Sequence, residues 1–362
     1  MDRPAVAVLF GGRSSEHSIS SATAGGVLRA IDRDRYRVIP VGITREGVFV
    51  LEDDDPGKFA LDAQRLPEVI DNGSRILWPE VGDRTLRVRR ADGEIDELGD
   101  LDVVLPILHG VHGEDGTIQG FFDTLEIPYA GGGVLDSALC MDKHFMKIVL
   151  QAAGVPVAPW VTVSRRRWES DPEGVRADAA ALGEPMFVKP ARAGSSVGVS
   201  KVHDASEFAG AMDLAFAEDD KVLIESAIVG REVEVAILEG RRTDGPRASL
   251  PGEIVLTTRE FYDFEGKYLG GDGADVVCPA DMSDAEIAAV QELGVRAFEA
   301  VGGRGLARVD FFLTADGLYV NELNTMPGFT PISMFPKCWI ASGLTYPELI
   351  AELIDTALER VA

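Results

Sequence analysis

Four polar side chains near the carboxyl end of the chain have the types and spacing of a metal and anion site. Arg308 and Asp310 lie in the segment RVDFFLT, and Glu322 and Asn324 lie in LYVNELN. Both segments are rich in β-branched and aromatic residues and an Asp-Gly pair separates them, which predicts a β-hairpin. Because side chains alternate between the two faces of a strand, the register decides which of the four share a face.

The length of the hairpin connection sets this register. A three-residue connection over 315–317 places Gly317 in the left-handed position that such loops need. It predicts three cross-strand pairs: Thr314 with Leu318, Asp310 with Glu322, and Arg308 with Asn324. A two- or four-residue connection without a bulge would place Asp310 on the face opposite to Glu322.

Two carboxylates and an amide oxygen on one strand face form the oxygen-rich set that suits Mg²⁺, which binds through a few carboxylates, waters and substrate phosphates. The alternative is an ordinary solvated strand face. Against it, the acids lie mid-strand, and the loop over 326–330 could present backbone N–H groups. The opposite face is also apolar and consists of Val309, Phe311, Leu313, Tyr319 and Leu323.

Composition limits the class of protein. A length of 362 residues with 46% hydrophobic content predicts two or three domains with real cores. We expect no membrane span and no signal peptide, because the sequence has neither a long apolar run nor a basic region before an apolar segment. A formal charge of −25 argues against a nucleic-acid partner. Three widely spaced cysteines, Cys140, Cys278 and Cys338, fit packing roles in a reducing cytoplasm.

The first part of the chain predicts an open α/β sheet. Buried strands over 5–10, 36–43 and 101–108 alternate with helical segments, and Ser14 or Ser15 can cap the first helix. The glycines after the first strand do not form the G-x-G-x-x-G fingerprint, so we expect no nicotinamide or flavin site. Glu16 and His109 follow strand ends, where such sheets bind ligands. The alternatives are a capping or salt-bridging acid and a satisfied loop histidine.

Two further segments have the composition of a nucleotide site. Lys189 lies on an apolar strand before a loop of small residues over 194–196, which favours a phosphate-binding flap over a polar hairpin turn, because a lysine there needs an anionic partner. The strand over 221–225 stops and restarts at 230–236, which is one way to present an adenine-binding edge. A single helix over 138–154 carries Lys143. The loop over 261–278 is too long for an ordinary connection, and its aromatic residues favour an ordered lid.

The ordered set of motifs resembles the D-alanine–D-alanine ligases of the ATP-grasp superfamily. The motifs are HG-x-x-GEDG at 109–116, MDK at 141–143, FVKPARAGSSVG at 187–198, FYDFEGKY at 261–268, ARVDFF at 307–312 and NELNTMPGFTPIS at 321–333. The resemblance implies an α/β fold with an open parallel-sheet domain at 1–138, a small central α+β domain at 139–224 and a mixed-sheet domain at 225–362, with ATP between the last two. It also implies a cytoplasmic enzyme of peptidoglycan synthesis, usually a homodimer, whose partners are D-alanine and ATP.

The resemblance further implies a role for each matching residue. For the nucleotide, these are phosphate contacts from Lys143, Lys189 and Ser196, adenine contacts from Glu225, Ala227 and Ile228, and a ribose contact from Glu232. Two Mg²⁺ ions, which Mn²⁺ can replace, bind Asp310, Glu322 and Asn324. For the amino acids, the contacts are Glu16 and His109 with the first, Ser333 and Met334 with the second, Lys267 and Tyr268 from the lid, and Arg308 and the Gly328 N–H with the acyl oxygen. Glu16, Ser195 and Tyr268 form a hydrogen-bonded triad that fastens the lid.

Two departures and two alternatives remain. Ala193 stands in the flap where family members often carry an acid, and residues 51–100 match the family least. A ligase that makes D-alanyl-D-lactate is one alternative, although Tyr268 favours an amine nucleophile because a protonated histidine near that position would repel an ammonium. A non-catalytic nucleotide-binding regulator is the other, and the intact set of charged site residues argues against it.

Overall fold

The computed structural model describes residues 3–60, 66–241, 244–256 and 274–360. Lys267, Tyr268 and most of the predicted lid lie outside the described residues. The strands are β1 Ala5–Gly11, β2 Arg37–Ile43, β3 Phe49–Leu51, β4 Arg75–Leu77, β5 Thr85–Arg89, β6 Ile95–Asp100, β7 Val103–Ile107, β8 Trp160–Ser164, β9 Met186–Pro190, β10 Ser200–Val202, β11 Lys221–Ser226, β12 Arg231–Leu238, β13 Arg247–Ala248, β14 Gly252–Leu256, β15 Ala274–Val277, β16 Leu306–Thr314 and β17 Gly317–Asn324. The helices are α1 His17–Ala30, a 3₁₀ helix Pro56–Phe59, α2 Thr117–Thr124, α3 Val134–Met141, α4 Lys143–Ala152, α5 Arg165–Ser170, α6 Pro172–Ala180, α7 Phe208–Glu218, α8 Asp284–Ala300, α9 Met334–Ala341 and α10 Tyr346–Glu359.

The first sheet has the order β3-β2-β1-β7, and β1 pairs in parallel with both neighbours. Every residue of β1 is buried, as the continuous apolar run predicts. Only the edge strand β3 is antiparallel. The carboxyl ends of β1 and β7 therefore meet at one edge, and the loops that carry Glu16 and His109 start there. A separate three-stranded sheet, β4-β5-β6, occupies the region of least resemblance.

The start of α1 differs from the predicted serine cap. The N-cap residue is Glu16, and no side chain caps the helix. Ser14 instead accepts a hydrogen bond from the Glu16 N–H at 3.1 Å and donates one to the His109 carbonyl oxygen at 2.7 Å. The serine hydroxyl thus joins the two strand-end loops to each other, which a helix cap would not do.

His17 is a buried histidine with both ring nitrogens in use. Nδ1 lies 2.7 Å from the Gly12 carbonyl oxygen, and the Val69 N–H donates to Nε2 at 3.0 Å. Burial lowers the pKa of His17 below its ordinary value, and the Gly12 contact opposes this. If Nε2 were protonated, it could no longer accept the hydrogen bond from the Val69 N–H, and two N–H groups would face each other.

We therefore expect His17 to make folding pH-dependent. Its pKa is lower in the folded chain than in the unfolded chain, so its contribution is complete above pH ~6.5 and is lost as the pH falls below that value. The free energy of unfolding in urea should fall between pH 7.5 and pH 5.5, and it should fall less for His17→Gln than for the wild type. His203→Gln, which replaces an exposed histidine, is the control and should match wild type.

The other two large sheets build the second half of the molecule. One has the order β10-β9-β11-β8 with antiparallel pairing throughout, and its buried face packs on α7. The other has the order β15-β14-β12-β16-β17, with β13 beside β12. Its named strands pair antiparallel, and a parallel bridge from Val157 to Val320 makes it mixed at that point. Within the described ranges, no helix is long and apolar enough to cross a bilayer.

The hairpin of β16 and β17 has a shorter connection than predicted. Thr314 pairs with Gly317, so the connection contains two residues rather than three, and Leu318 lies opposite Leu313. Gly317 has a φ of +133°, a conformation that glycine tolerates. The predicted pair of Thr314 with Leu318 is therefore wrong.

A β-bulge restores the register at the site. The register shifts between Asp310 and Phe311, and Asn321 is the extra residue on the partner strand. The two remaining predicted pairs are observed: Asp310 with Glu322, and Arg308 with Asn324. The extra residue of the bulge offsets the residue that the connection lacks. The four polar side chains therefore share the predicted face because of the bulge, and not because of a three-residue connection.

The loop after β17 is anchored in the largest core. Phe329 and Phe335 are fully buried, with ring centroids 5.7 Å apart. The Tyr346 hydroxyl donates to the Phe329 carbonyl oxygen at 2.7 Å. These residues belong to the same cluster as Phe10 of β1. The cluster therefore fixes the loop over 326–330 against the N-terminal sheet.

Candidate active site

A cavity of about 700 Å³ lies where the N-terminal sheet, the flap and the β16–β17 hairpin meet. A second cavity, of about 150 Å³, lies between the central sheet and the same hairpin. The two share part of their lining, which includes Lys143, Ser195, Glu234 and Glu322. A group bound in one cavity can therefore reach a group bound in the other only past these residues.

The flap contacts the N-terminal sheet directly. Ser195 donates a hydrogen bond to Glu16 at 2.5 Å across 179 residues of sequence. Ser195 and Ser196 have φ values of +53° and +59°, which non-glycine residues rarely adopt. The two members of the predicted triad that lie in the described part of the chain are thus in contact, in a locally strained loop.

His109 and Glu114 form the polar floor of the larger cavity. His109 is 4% exposed, and its Nδ1 lies 3.1 Å from the Met326 carbonyl oxygen. Burial lowers the pKa of His109, while the charge of Glu16 opposes this. Burial and the charge of Glu16 raise the pKa of Glu114 to about 8. Our residue-level prediction omitted Glu114, although it stands inside the HG-x-x-GEDG motif on which the resemblance rests.

Arg308 is held by two carboxylates. It donates to both oxygens of Asp310 at 2.7 Å and lies 2.8 Å from Glu234. Burial opposes its charge, but Asp310 and Glu234 raise the pKa of Arg308 well above its ordinary value. Asn324 also donates to Asp310, at 3.0 Å. Glu234 was not predicted to be a site residue. The only indication of that role in the sequence is its position as an acid in the alternating strand REVEVAIL.

The hairpin face fits a hard divalent cation that takes further ligands from phosphate. Asp310 and Glu322 are cross-strand partners, with the Asn324 amide next to them. Within the part of the chain that the structure describes, no cluster of three or more His, Cys, Asp or Glu side chains has metal-binding geometry. Two carboxylates and an amide match Mg²⁺, which keeps waters and binds substrate phosphates, better than Zn²⁺, which needs a fuller set of protein ligands.

Lys143 reaches the boundary between the cavities because the helix predicted over 138–154 is interrupted. α3 ends at Met141, and Asp142 begins α4 by accepting from the His144 N–H at 3.2 Å. The Lys143 ammonium lies 3.3 Å from Glu322 and donates to the Ala193 carbonyl oxygen at 3.0 Å. The contact with Ala193 uses its backbone carbonyl oxygen, so it does not depend on the side chain at this position.

Glu225 is the centre of the smaller cavity. Its carboxylate forms salt bridges with Lys189 and with Lys147, and all three side chains are buried. Burial opposes ionisation, but the two lysines lower the pKa of Glu225 below its ordinary value. Lys147 was missed, although it lies one helical turn after Lys143 on the same face.

Three other residues predicted to bind the nucleotide share this cavity, and Ala227 is not among its lining residues. Ser196, Ile228 and Glu232 line the smaller cavity with Lys189 and Glu225. The Ala227 N–H is already used, because it donates to the Pro185 carbonyl oxygen at 3.1 Å. A backbone contact between Ala227 and the predicted adenine base would therefore use the Ala227 carbonyl oxygen.

The residues predicted from the motif to bind the second amino-acid substrate lie at the start of α9. Ser333 is the N-cap of α9, and its hydroxyl lies 2.7 Å from that of Thr330. Gly328, Ser333 and Met334 all line the larger cavity with Glu16 and Arg308. A side chain at Gly328 would approach the Ser333 hydroxyl to 3.2 Å. The loop is thus compact enough to present backbone N–H groups to a ligand.

Comparisons with known proteins show which proteins the chain resembles. The sequence model described as D-ala D-ala ligase N-terminus matches residues 5–132, and that described as D-ala D-ala ligase C-terminus matches 149–355. The chain is 53% identical to the D-alanine–D-alanine ligases of Pseudarthrobacter chlorophenolicus and Arthrobacter sp., over 99% of this chain and 95% of each relative. It resembles the solved D-alanine–D-alanine ligase of Coxiella burnetii at 35% identity and a TM-score of 0.83, covering 99% of this chain and 95% of that one. It also resembles the VanG D-Ala:D-Ser ligase of Enterococcus faecalis at 32% identity and a TM-score of 0.81, covering 98% and 100%.

Proposed function

The chain belongs to the D-alanine–D-alanine ligase family, and we propose from this premise that it joins two D-alanines with ATP, releasing ADP and phosphate for peptidoglycan synthesis. The observation that carries the proposal is the shared lining of the two cavities by Lys143, Ser195 and Glu322. That boundary is where a nucleotide on one side and an amino acid on the other can exchange a phosphoryl group.

The larger cavity supports binding of the first D-alanine. Glu16 provides a buried carboxylate for its ammonium, and His109 lies beside it. The D-alanine carboxylate attacks the γ-phosphate of ATP to give D-alanyl phosphate and ADP. Because both reactants are anionic, Lys143 and Lys189 must neutralise charge as the phosphoryl group moves. Ser196, Glu225, Ile228 and Glu232 hold the rest of the nucleotide, with backbone contacts from Ala227.

The second D-alanine attacks the acyl phosphate with its free amine. Ser333 and Met334 receive it at the start of α9, on the same cavity wall as Gly328. The tetrahedral intermediate carries an oxyanion, which Arg308 and the Gly328 N–H stabilise. The acyl phosphate hydrolyses readily, so the flap and the segment with Lys267 and Tyr268 must exclude water during this step.

Asp310, Glu322 and Asn324 would hold two Mg²⁺ ions, or Mn²⁺ in their place. A divalent cation there supplies charge neutralisation of the β- and γ-phosphates. The work of the chain is to hold the two carboxylates on one strand face. The bulge at Asn321 and the pairing with Arg308 do this.

The finer assignments are also part of the proposal. The ligase acts in the cytoplasm, where its cosubstrate ATP is available, and forms a homodimer. Its domains are 1–138, 139–224 and 225–362, and the nucleotide lies between the last two. The sheets with orders β10-β9-β11-β8 and β15-β14-β12-β16-β17 support this position, because the smaller cavity is lined from both.

The test is phosphate release from ATP and Mg²⁺ with D-alanine, L-alanine, D-serine or D-lactate as the variable substrate, with products identified by mass spectrometry. D-Alanine alone should give dipeptide, and adding D-lactate at neutral pH should give little depsipeptide. Predominant D-alanyl-D-serine or depsipeptide would assign a different second substrate. No D-alanine-dependent release would favour a nucleotide-binding regulator.

Ser195→Ala tests the contact between the flap and Glu16. Loss of this charge-assisted hydrogen bond should lower kcat/KM for D-alanine about tenfold, which corresponds to the net free energy that such a bond contributes. The flap should also exclude water less well, so the ratio of phosphate to dipeptide should exceed one. Ser206→Ala, at an exposed turn of the same domain, is the control. A ratio of one in Ser195→Ala would contradict the sealing role.

A further inference from the structure

Lys147 is a fully buried lysine that none of the roles above uses. Its side chain has 0% exposure, whereas Lys143, one turn earlier on α4, reaches both cavities. A buried ammonium is costly unless an anion and further acceptors surround it.

The surroundings of Lys147 are specific. Its ammonium forms a salt bridge with one carboxylate oxygen of Glu225, lies 3.4 Å from the Ala158 carbonyl oxygen and sits 5.6 Å from the centroid of the Trp160 ring. Burial lowers the pKa of Lys147, and the charge of Glu225 opposes this. Lys147 itself does not line the smaller cavity, although its partners Glu225 and Ala158 do.

Glu225 has a second cation on its open side. Its other carboxylate oxygen forms a salt bridge with Lys189, which lines the cavity. The cavity volume of about 150 Å³ is small beside the ~300–1,000 Å³ typical of ligand pockets. Because an ammonium has three donors, a phosphate bound in this cavity would share Lys189 with Glu225. Nucleotide binding would therefore weaken the contact of Lys189 with Glu225, whereas Lys147 does not line the cavity and keeps its contact.

We propose that Lys147 is a positioning residue: the permanent counter-ion that keeps Glu225 ionised and aimed at the base while Lys189 is shared with the phosphates. The inference rests on the proposed function, because it assigns a base contact to Glu225. An ionised carboxylate only accepts hydrogen bonds, so it favours the 6-amino group of adenine and disfavours the 6-oxo group of hypoxanthine. Lys147 thus determines base specificity without touching the nucleotide.

A double-mutant cycle of Lys147→Met and Glu225→Gln tests this coupling. Initial rates of phosphate release are measured at saturating D-alanine with ATP and with inosine triphosphate. K147M alone should raise KM for ATP about tenfold and lower the preference for ATP over inosine triphosphate about tenfold, the order expected for a hydrogen bond to a charged group. In the E225Q background, where no carboxylate remains to be held, K147M should change both quantities less than twofold.

A matched control separates this role from general stability. Lys58→Met removes a lysine of the 3₁₀ helix whose partner Glu52, just after β3, has a side chain only 1% exposed. K58M should lower the thermal unfolding midpoint and leave the nucleotide preference unchanged. Lys147→Arg, which keeps the charge, should retain most of the preference. If K147M does not fold, Lys147→Gln takes its place in the cycle with the same expectations.

Three outcomes would count against the inference. Equal effects of K147M in both backgrounds would mean that Lys147 does not act through Glu225. An unchanged KM and preference in K147M would mean that it has no positioning role, whatever happens to the unfolding midpoint. Absence of D-alanine-dependent turnover in the wild type would overturn the proposed function and, with it, this inference, whereas normal wild-type turnover with no coupling overturns the inference alone.

Discussion

Replacing Glu322 with glutamine is expected to lower D-alanine-dependent phosphate release about a hundredfold, the order of losing one direct electrostatic contact to the transition state. Glu322 faces Asp310 across the strands and lies 3.3 Å from Lys143. Glutamine keeps the shape and removes the charge, so a divalent cation held on this strand face would lose one of its two carboxylates. The measurement is the initial rate against Mg²⁺ concentration, and the half-saturating concentration should rise well above that of the wild type.

The matched control for Glu322→Gln is Asp316→Asn. This residue is an exposed acid in the turn of the same hairpin, and its substitution removes the same charge without touching the site. The D316N variant should match the wild type in rate and in Mg²⁺ dependence. An unchanged rate in E322Q would show that the metal assignment is wrong, and a lower rate with unchanged Mg²⁺ dependence would place Glu322 in a role toward Lys143 instead.

The hairpin of β16 and β17 illustrates what the sequence could and could not predict. Asp310 and Glu322 are partners, as predicted, but that prediction relied on a three-residue connection. The connection was wrong by one residue, and a bulge at Asn321 offset the error. Periodicity within a strand gives the face of each residue, but the number of residues in a turn and a bulge depend on packing elsewhere in the sheet.

The helix break at Asp142 was missed for a similar reason. Residues 138–154 have a continuous helical pattern, and nothing local requires an interruption. Asp142 both caps α4 and forms a salt bridge with Lys221, a residue of the central sheet. The break therefore depends on a contact that spans 79 residues, which a local pattern cannot show.

Residues recognised through motifs lie together in the fold, whereas those that act through other residues were not predicted. Glu16, Ser195 and Arg308, each within or near a motif, converge on one cavity. Lys147 forms a salt bridge with Glu225, and Glu234 forms one with Arg308, and their neighbours in sequence give no sign of that role. A supporting side chain is defined by what it touches in the fold, so it becomes visible only when the packing is known.

Arg308→Lys is expected to lower kcat for dipeptide formation about a hundredfold to a thousandfold, as the loss of an oxyanion donor does. Lysine keeps the positive charge but lacks the planar pair of donors with which Arg308 holds Asp310. We expect the second step to suffer more than the first, because the oxyanion forms only when the amine attacks. Phosphate should then exceed dipeptide, and hydroxylamine should trap D-alanyl hydroxamate from the accumulated acyl phosphate.

The control for Arg308→Lys is Arg231→Lys. Arg231 also holds a carboxylate through two donors, at 2.8 and 2.6 Å from Glu253, in the same sheet but outside both cavities. If R231K behaves like the wild type while R308K loses dipeptide and releases excess phosphate, the effect belongs to the oxyanion and not to the loss of a two-donor ion pair. A proportional loss of phosphate and dipeptide in R308K would instead assign Arg308 to the first step, where its contact with Asp310 would act on the metal site.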